Sequence, residues 1–180
     1  MTSQTETLSP AIPGEIESLT HQVLKLADAK SACLAAAESC TGGLLASLLT
    51  DVDGFAHCFE RGFVSYSDRA KREQLGVDDD LLKDRRAVSR DVAVAMAQGA
   101  LERSCADIAV AITGFAGPGA PGDEPGLVHF ACAIKGGSTA HLECHFGDVG
   151  RGQVRLECLR TAMNLMKAAL AGSDPASPSP

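Results

Sequence analysis

The stretch ACLAAAESCTGGLLASLL, residues 32–49, reads as three kinds of backbone in succession. Ala32–Ala37 is a run of small apolar residues, short enough for a buried strand. Glu38–Gly43 (ESCTGG) is polar and ends in paired glycines, the mark of a turn. Thr41–Leu49 then sets Leu44, Leu45, Leu48 and Leu49 on one side of a helix. Strand, tight turn and helix make the unit from which α/β sheets are assembled, and the polar turn falls at the strand's carboxyl end.

The flanking segments continue the alternation. Glu15–Ala29 carries Ile16, Leu19, Val23, Leu24 and Leu26 at helical spacing. Gly62–Tyr66 (GFVSY) alternates like a strand, and Ser67 or Asp68 can cap a helix running to Leu75. Ser89 caps a longer helix through Val92, Val94, Met96 and Leu101, and Asp107–Ile112 is a buried strand ending in a Gly/Pro loop. Leu127–Ile134 and Thr139–Phe146 are strands joined by Lys135-Gly136-Gly137, a hairpin signal, and a last helix runs from about Gly152 to Leu170. The expected fold is α/β: a three-layer α/β/α sandwich with a mixed, mostly parallel sheet of about five strands. One domain is expected over residues 14–172, between disordered tails at 1–13 and 173–180. In such sheets ligands sit beyond the carboxyl ends of strands. Glu38–Gly43, Tyr66–Lys71 and Thr113–Gly122 all fall there.

Composition narrows the function. A formal net charge of −7 repels a polyanion, and aromatics make up only 4%, so no basic, stacking surface for nucleic acid is expected. No stretch reaches the roughly 18 apolar residues of a membrane span. The seven cysteines include no C-x-x-C and read as buried free thiols of a reducing compartment. With no signal-peptide pattern at the start, the expected location is the cytoplasm.

Three segments can carry chemistry. A hydroxyl in Glu38-Ser39-Cys40-Thr41-Gly42-Gly43 would lie beside the free N–H groups of a helix start, which favour a phosphate or an oxyanion. The same six residues also suit a plain capped turn. Tyr66-Ser67-x-x-x-Lys71 offers an amine, which is a base only if burial lowers its pKa. Alternatively Lys71 is a solvated helix residue and Tyr66 a half-buried aromatic. Thr113–Gly119 (TGFAGPG) can cradle a phosphate, but it is neither a P-loop nor a dinucleotide fingerprint. His141, Cys144 and His145 have metal-binding side chains on opposite strand faces, so no metal is expected. Asp148 can cap the last helix, while Arg151 and Arg155 can clamp an anion or merely solvate it.

ESCTGG at 38–43, RGFVSYSDRAK at 61–71, Ala87-Val88-Ser89, TGFAGP at 113–118 and Gly147-Asp148, taken in order, resemble the CinA C-terminal domain family, over about residues 14–172. The resemblance implies a nicotinamide-nucleotide amidase that hydrolyses the carboxamide of nicotinamide mononucleotide to nicotinate mononucleotide and ammonia, in pyridine-nucleotide salvage. It implies Ser39 as nucleophile, Lys71 as its base and Tyr66 as proton relay. Thr41, Gly42 and Gly43 would supply backbone donors. Thr113, Gly114 and Gly117 would line the nucleotide pocket, and Arg151 would contact the phosphate or the amide end. No cofactor is implied; the partners are the small-molecule nucleotide and a homodimer or larger homo-oligomer. Relatives are often fused behind a molybdopterin-binding-like domain, so a stand-alone form is expected here.

The chain departs from the family pattern in three places. Asp68 replaces an Asn and would keep Lys71 protonated unless it points away. Gly-Asp-Arg becomes Gly147-Asp148-Val149-Gly150-Arg151, and the loop after Pro118 carries Asp123 and Glu124. Two alternatives stay open: an amidase of the same mechanism acting on another carboxamide, and a non-catalytic nucleotide-binding or regulatory module.

Overall fold

The computed structural model describes residues 12–85 and 87–173. The expected disordered tails lie outside the described residues, apart from Ile12, Pro13 and Ser173. In chain order the elements are α1 (Gly14–Ala29), β1 (Leu34–Glu38), α2 (Leu44–Thr50), a 3-10 turn (Ala56–Cys58), β2 (Phe59–Val64), α3 (Asp68–Leu75), α4 (Asp79–Arg85), α5 (Arg90–Glu102), β3 (Ile108–Gly114), β4 (Leu127–Ile134), β5 (Thr139–His145) and α6 (Arg151–Ala171).

The five strands form one sheet in the order β2-β1-β3-β4-β5. β1 pairs in parallel with β2 and β3, whereas β3–β4 and β4–β5 are antiparallel. The sheet is mixed, as expected, with four of its strands pointing one way. β1 therefore has a parallel neighbour on each side, reached by crossovers that leave in opposite directions. That reversal opens a crevice at the carboxyl ends of β1 and β3.

Strand alternation gives the two faces different textures. Leu34, Ala36, Ile108, Val110, Ile112, Val128, Phe130 and Cys132 pack with α1, α2 and α6. Ala35, Ala37, Ala109, Ala111, Ala131 and Ala133 pack with α3, α4 and α5. A face paved with methyl groups admits a helix at close range, and α5 meets it with Ala93, Ala97 and Ala100. Among the described residues no helix is long and apolar enough to cross a membrane.

Three local expectations change. β2 ends at Val64, so Ser65 and Tyr66 belong to the loop beyond it. α2 begins at Leu44 rather than Thr41, because Gly42 and Gly43 take φ of +64° and +98°, outside the helical region. Of the seven thiols, Cys105 is exposed and Cys33 and Cys144 are only partly buried; the other four are core residues.

The contact between α5 and α3 is the tightest test of this packing. A Cβ on Gly99 would lie 1.9 Å from the carbonyl oxygen of Leu75, a backbone atom that cannot rotate away. The helix-propensity gain of Gly99→Ala, about 1 kcal/mol, is smaller than the overpacking cost, about 1–3 kcal/mol or more. Urea unfolding should therefore show Gly99→Ala destabilised, and a stabilised variant would mean that α3 and α5 are not in this contact.

Candidate active site

β1 delivers Glu38 and Ser39 to the crevice. Glu38 is fully buried, and its carboxylate accepts the N–H groups of Gly43 (3.1 Å), Leu45 (3.0 Å) and Ala46 (2.8 Å). A glutamate one strand residue before the turn thus caps α2, whose N-cap, Gly43, has no side chain to do so. This corrects one expectation. The Gly43 N–H is taken by Glu38 and the Gly42 N–H by the Ser39 carbonyl (3.2 Å), so neither is offered to a substrate. Among the described residues no oxygen accepts the N–H of Cys40 or Thr41. On its outer side the turn is held by Arg155, whose Nε donates to the Cys40 carbonyl at 2.7 Å.

α3 delivers Lys71. Ser67 caps the helix by accepting the Ala70 N–H at 3.1 Å, which directs Lys71 and Leu75 inward. The lysine is fully buried. Its Nζ lies 3.1 Å from Ser39 Oγ, 3.1 Å from the Ser65 carbonyl oxygen and 3.3 Å from the Tyr66 carbonyl oxygen. No carboxylate of the described residues pairs with it. Burial lowers its pKa from the ordinary lysine value, against a smaller opposing pull from Asp68 and Cys40. Asp68 is exposed in the first turn of α3, where it complements the helix dipole, so the expected penalty on Lys71 does not prevail.

These groups open into a cleft of about 260 Å³ lined by Ser39, Lys71, Cys40, Thr113, the 114–119 loop and Arg151. Ser39 is 7% exposed, so its hydroxyl is reached only through that cleft. Tyr66 also lines the cleft, but its side chain is 66% exposed and its phenol makes no hydrogen bond among the described residues. It is not the half-buried aromatic of the alternative reading, and its carbonyl, not its hydroxyl, meets Lys71. Thr113 donates from Oγ1 to the Ala87 carbonyl at 2.6 Å and ties the glycine loop to the segment before α5. A Cβ on Gly117 would lie 3.2 Å from Arg151 Nη2, which shows the guanidinium resting over that loop.

Thr41, Gly42 and Gly43 do not line the cleft, and their part is to shape the turn. The buried Thr41 Oγ1 has no hydrogen-bond partner among the described residues. The acidic loop faces outward: Glu124 pairs with His145 at 2.7 Å and Asp123 accepts the Ala120 N–H at 2.8 Å. Asp148 is exposed and does not cap α6, whose N-cap is Gly150. His141 meets His129 at 3.1 Å while His145 meets Glu143 and Glu124, so the two strand histidines do not converge.

All of these residues lie within the match to a family model. The CinA C-terminal domain model matches residues 16–170. The chain belongs to the CinA C-terminal domain family. The nicotinamide-nucleotide amidohydrolase PncC of Escherichia coli is 41% identical over 155 residues, covering 84% of this chain and 93% of PncC. A CinA-like protein of Akkermansia muciniphila is 56% identical over 107 residues, and this chain spans only 26% of its length. The crystal structure of the competence/damage inducible protein CihA of Agrobacterium tumefaciens superposes with a TM-score of 0.85 at 44% identity, covering 89% of this chain and 98% of that one.

Two contributors to this CinA-type site escape a reading of the sequence. Glu38 stands in the quoted motif, yet a carboxylate next to a helix start gives no sign that it turns back to cap it. Arg155 lies 115 residues from the carbonyl it holds.

Lys71 carries a pH signature. Its folded-state pKa is depressed below the ordinary 10.5, so the unfolded chain binds the extra proton between the two values. Stability therefore rises with pH across that window. Below it, the buried charge destabilises the fold by a constant amount; above it, the contribution vanishes. Urea unfolding from pH 7 to 10 should show this rise in wild type and a flatter profile in Lys71→Met. Equal slopes would mean that Lys71 is solvated.

Proposed function

We propose that this chain is a nicotinamide-nucleotide amidase, a C–N hydrolase that converts nicotinamide mononucleotide to nicotinate mononucleotide and ammonia. The observation that carries the reading is a buried amine 3.1 Å from a serine hydroxyl at the floor of a cleft. The PncC relative, named a nicotinamide-nucleotide amidohydrolase and matched over 93% of its length, supports the substrate.

Neutral Lys71 has two N–H groups and one lone pair. With the N–H groups donated to the carbonyls of Ser65 and Tyr66, the lone pair faces the Ser39 hydroxyl. Lys71 takes the serine proton as Ser39 Oγ attacks the carboxamide carbon. The oxyanion that forms is met by the N–H of Cys40, which lines the cleft. Lys71 then returns the proton to the departing nitrogen, and ammonia leaves an acyl-serine. Water, deprotonated by the same amine, releases the carboxylate and restores Ser39.

Tyr66, exposed at the mouth, covers the pyridine ring in this reading and does not relay the proton. Arg151, first residue of α6 and seated over the glycine loop, takes the phosphate. The amidase unit spans residues 14–172. The same reading carries a cytoplasmic setting and a homodimer or larger homo-oligomer, which light scattering on the eluted protein measures.

Ammonia release from nicotinamide mononucleotide by the purified chain tests the reading. Ser39→Ala should cut turnover by about 10⁴-fold or more while calorimetry still detects the nucleotide. Nucleotide binding without ammonia in wild type would leave a regulatory module, and ammonia from other amides alone would replace the substrate.

Arg151→Ala should raise KM with little change in kcat, because a phosphate contact is made equally in ground and transition states. Nicotinamide riboside, which lacks the phosphate, should respond equally to wild type and variant. A kcat loss with unchanged KM would move Arg151 to the amide end.

A further inference from the structure

β1 and β2 run in parallel, so their amino ends meet at the sheet edge opposite the cleft. A second cluster of chemically capable side chains gathers there. Asp28 stands in the last turn of α1, Cys33 just before β1, and His57 and Cys58 in the 3-10 turn that leads into β2. Asp28 Oδ1 and His57 Nε2 are 2.8 Å apart. Ligand atoms of Asp28, His57 and Cys58 all lie within 4.8 Å of one another. Cys33 Sγ is 3.8 Å from the His57 carbonyl oxygen, beside the same turn.

Zinc bonds of about 2.0–2.3 Å in a tetrahedron place ligand atoms about 3.3–3.8 Å apart. The three side chains are already within an ångström or so of that envelope. Cys58 is fully buried and forms a fixed base. The side chains of Asp28 and His57 are 52% and 62% exposed, free to adjust and open to an ion arriving from solvent. The last turn of α1 contains no basic residue, so the negative end of its dipole adds to the attraction. The Asp28–His57 ion pair leaves their remaining lone pairs open, and the Cys58 thiol, which donates weakly to the Leu24 carbonyl at 3.8 Å, lies beside them with its sulfur lone pairs uncommitted. Carboxylate, imidazole and thiol together suit a borderline-soft ion and not magnesium or calcium.

We propose that Asp28, His57 and Cys58 form a zinc site, with Cys33 or a water as fourth ligand. Zn²⁺ takes the lone pair of neutral His57, one Asp28 oxygen and the Cys58 sulfur, whose thiol proton passes to solvent. The site clips α1 to the turn entering β2 and, where Cys33 joins, to the start of β1. It lies at the opposite end of the two strands that position Ser39 and the loop over Lys71. Zinc therefore stabilises the fold without entering the reaction, and the site stands whether or not the amidase reading does.

The test is calorimetric titration of the full chain with zinc chloride, after chelator treatment and under a non-thiol reductant. His57→Ala and Asp28→Asn change exposed side chains, and their metal-free melting should match wild type. Wild type should bind one zinc per chain and melt higher with it, and each variant should bind at least about tenfold more weakly. Cobalt should give a thiolate charge-transfer band that Cys58→Ser abolishes. Equal zinc affinity in wild type and His57→Ala, the result expected of adventitious binding through exposed Cys105, would overturn the proposal. So would the absence of saturable binding in wild type.

Discussion

Everything at the cleft depends on one buried amine that has no counter-ion. Lys71 is enclosed, and among the described residues the hydrogen-bond partners of its Nζ are a hydroxyl and two backbone carbonyls. A buried ammonium without a carboxylate is costly, so burial lowers the pKa of Lys71 and shifts it toward the neutral form. The two carbonyls do more than satisfy it. They accept two of its N–H groups, so that in the proposed reaction the neutral amine turns its lone pair to Ser39. The position of α3 is therefore part of the chemistry. That position is set by the Ser67 cap at one end and, one turn beyond Lys71, by Leu75 pressed against Gly99 of α5. The alanine-paved face of the sheet brings α5 near enough for this contact.

Glu38 shows why the amine stays unpaired. It is the nearest buried carboxylate along the chain to Ser39, and had it turned toward Lys71 it would have held the lysine as an ammonium. Both of its oxygens are instead committed to three N–H groups at the start of α2. A carboxylate with three such donors has its acceptor capacity spent on its own turn. Glu38 and Lys71 are thus both buried without an ion pair between them. The arrangement holds because the glycines at 42 and 43 accept positive φ and fold the turn back over the carboxylate.

The sandwich was legible in the sequence because its signals are local: the 32–49 stretch, the serines before α3 and α5, and the glycine pair in the hairpin each act within a few residues. Ser39 and Lys71 were legible as candidates because each stands at a strand's carboxyl end. What could not be read is long-range or directional. The capping role of Glu38 and the hold of Arg155 on Cys40 depend on where side chains turn once two elements have docked. Tyr66 was misjudged because β2 ends two residues earlier than its alternation suggests. In the loop beyond, a residue's carbonyl and its side chain point to different places, one inward to Lys71 and one to solvent. The donors expected from Thr41–Gly43 failed similarly, since the fold spends Gly42 and Gly43 on its own turn.

The same local logic bears on how the cleft can discriminate. In the proposed reaction, selection at the floor acts on shape: a planar carboxamide whose carbon can approach Ser39 while its oxygen reaches the Cys40 N–H. Arg151 rests on the glycine loop at the rim, and the proposed phosphate contact falls there, away from the floor. Asp123 and Glu124 would spoil an anion site if they faced it. The turn closed by Asp123 and the pairing of Glu124 with His145 hold both away from the lining of the cleft. An acidic chain can therefore still admit an anionic nucleotide, because the charge that matters is the one at the mouth and not the sum over the surface.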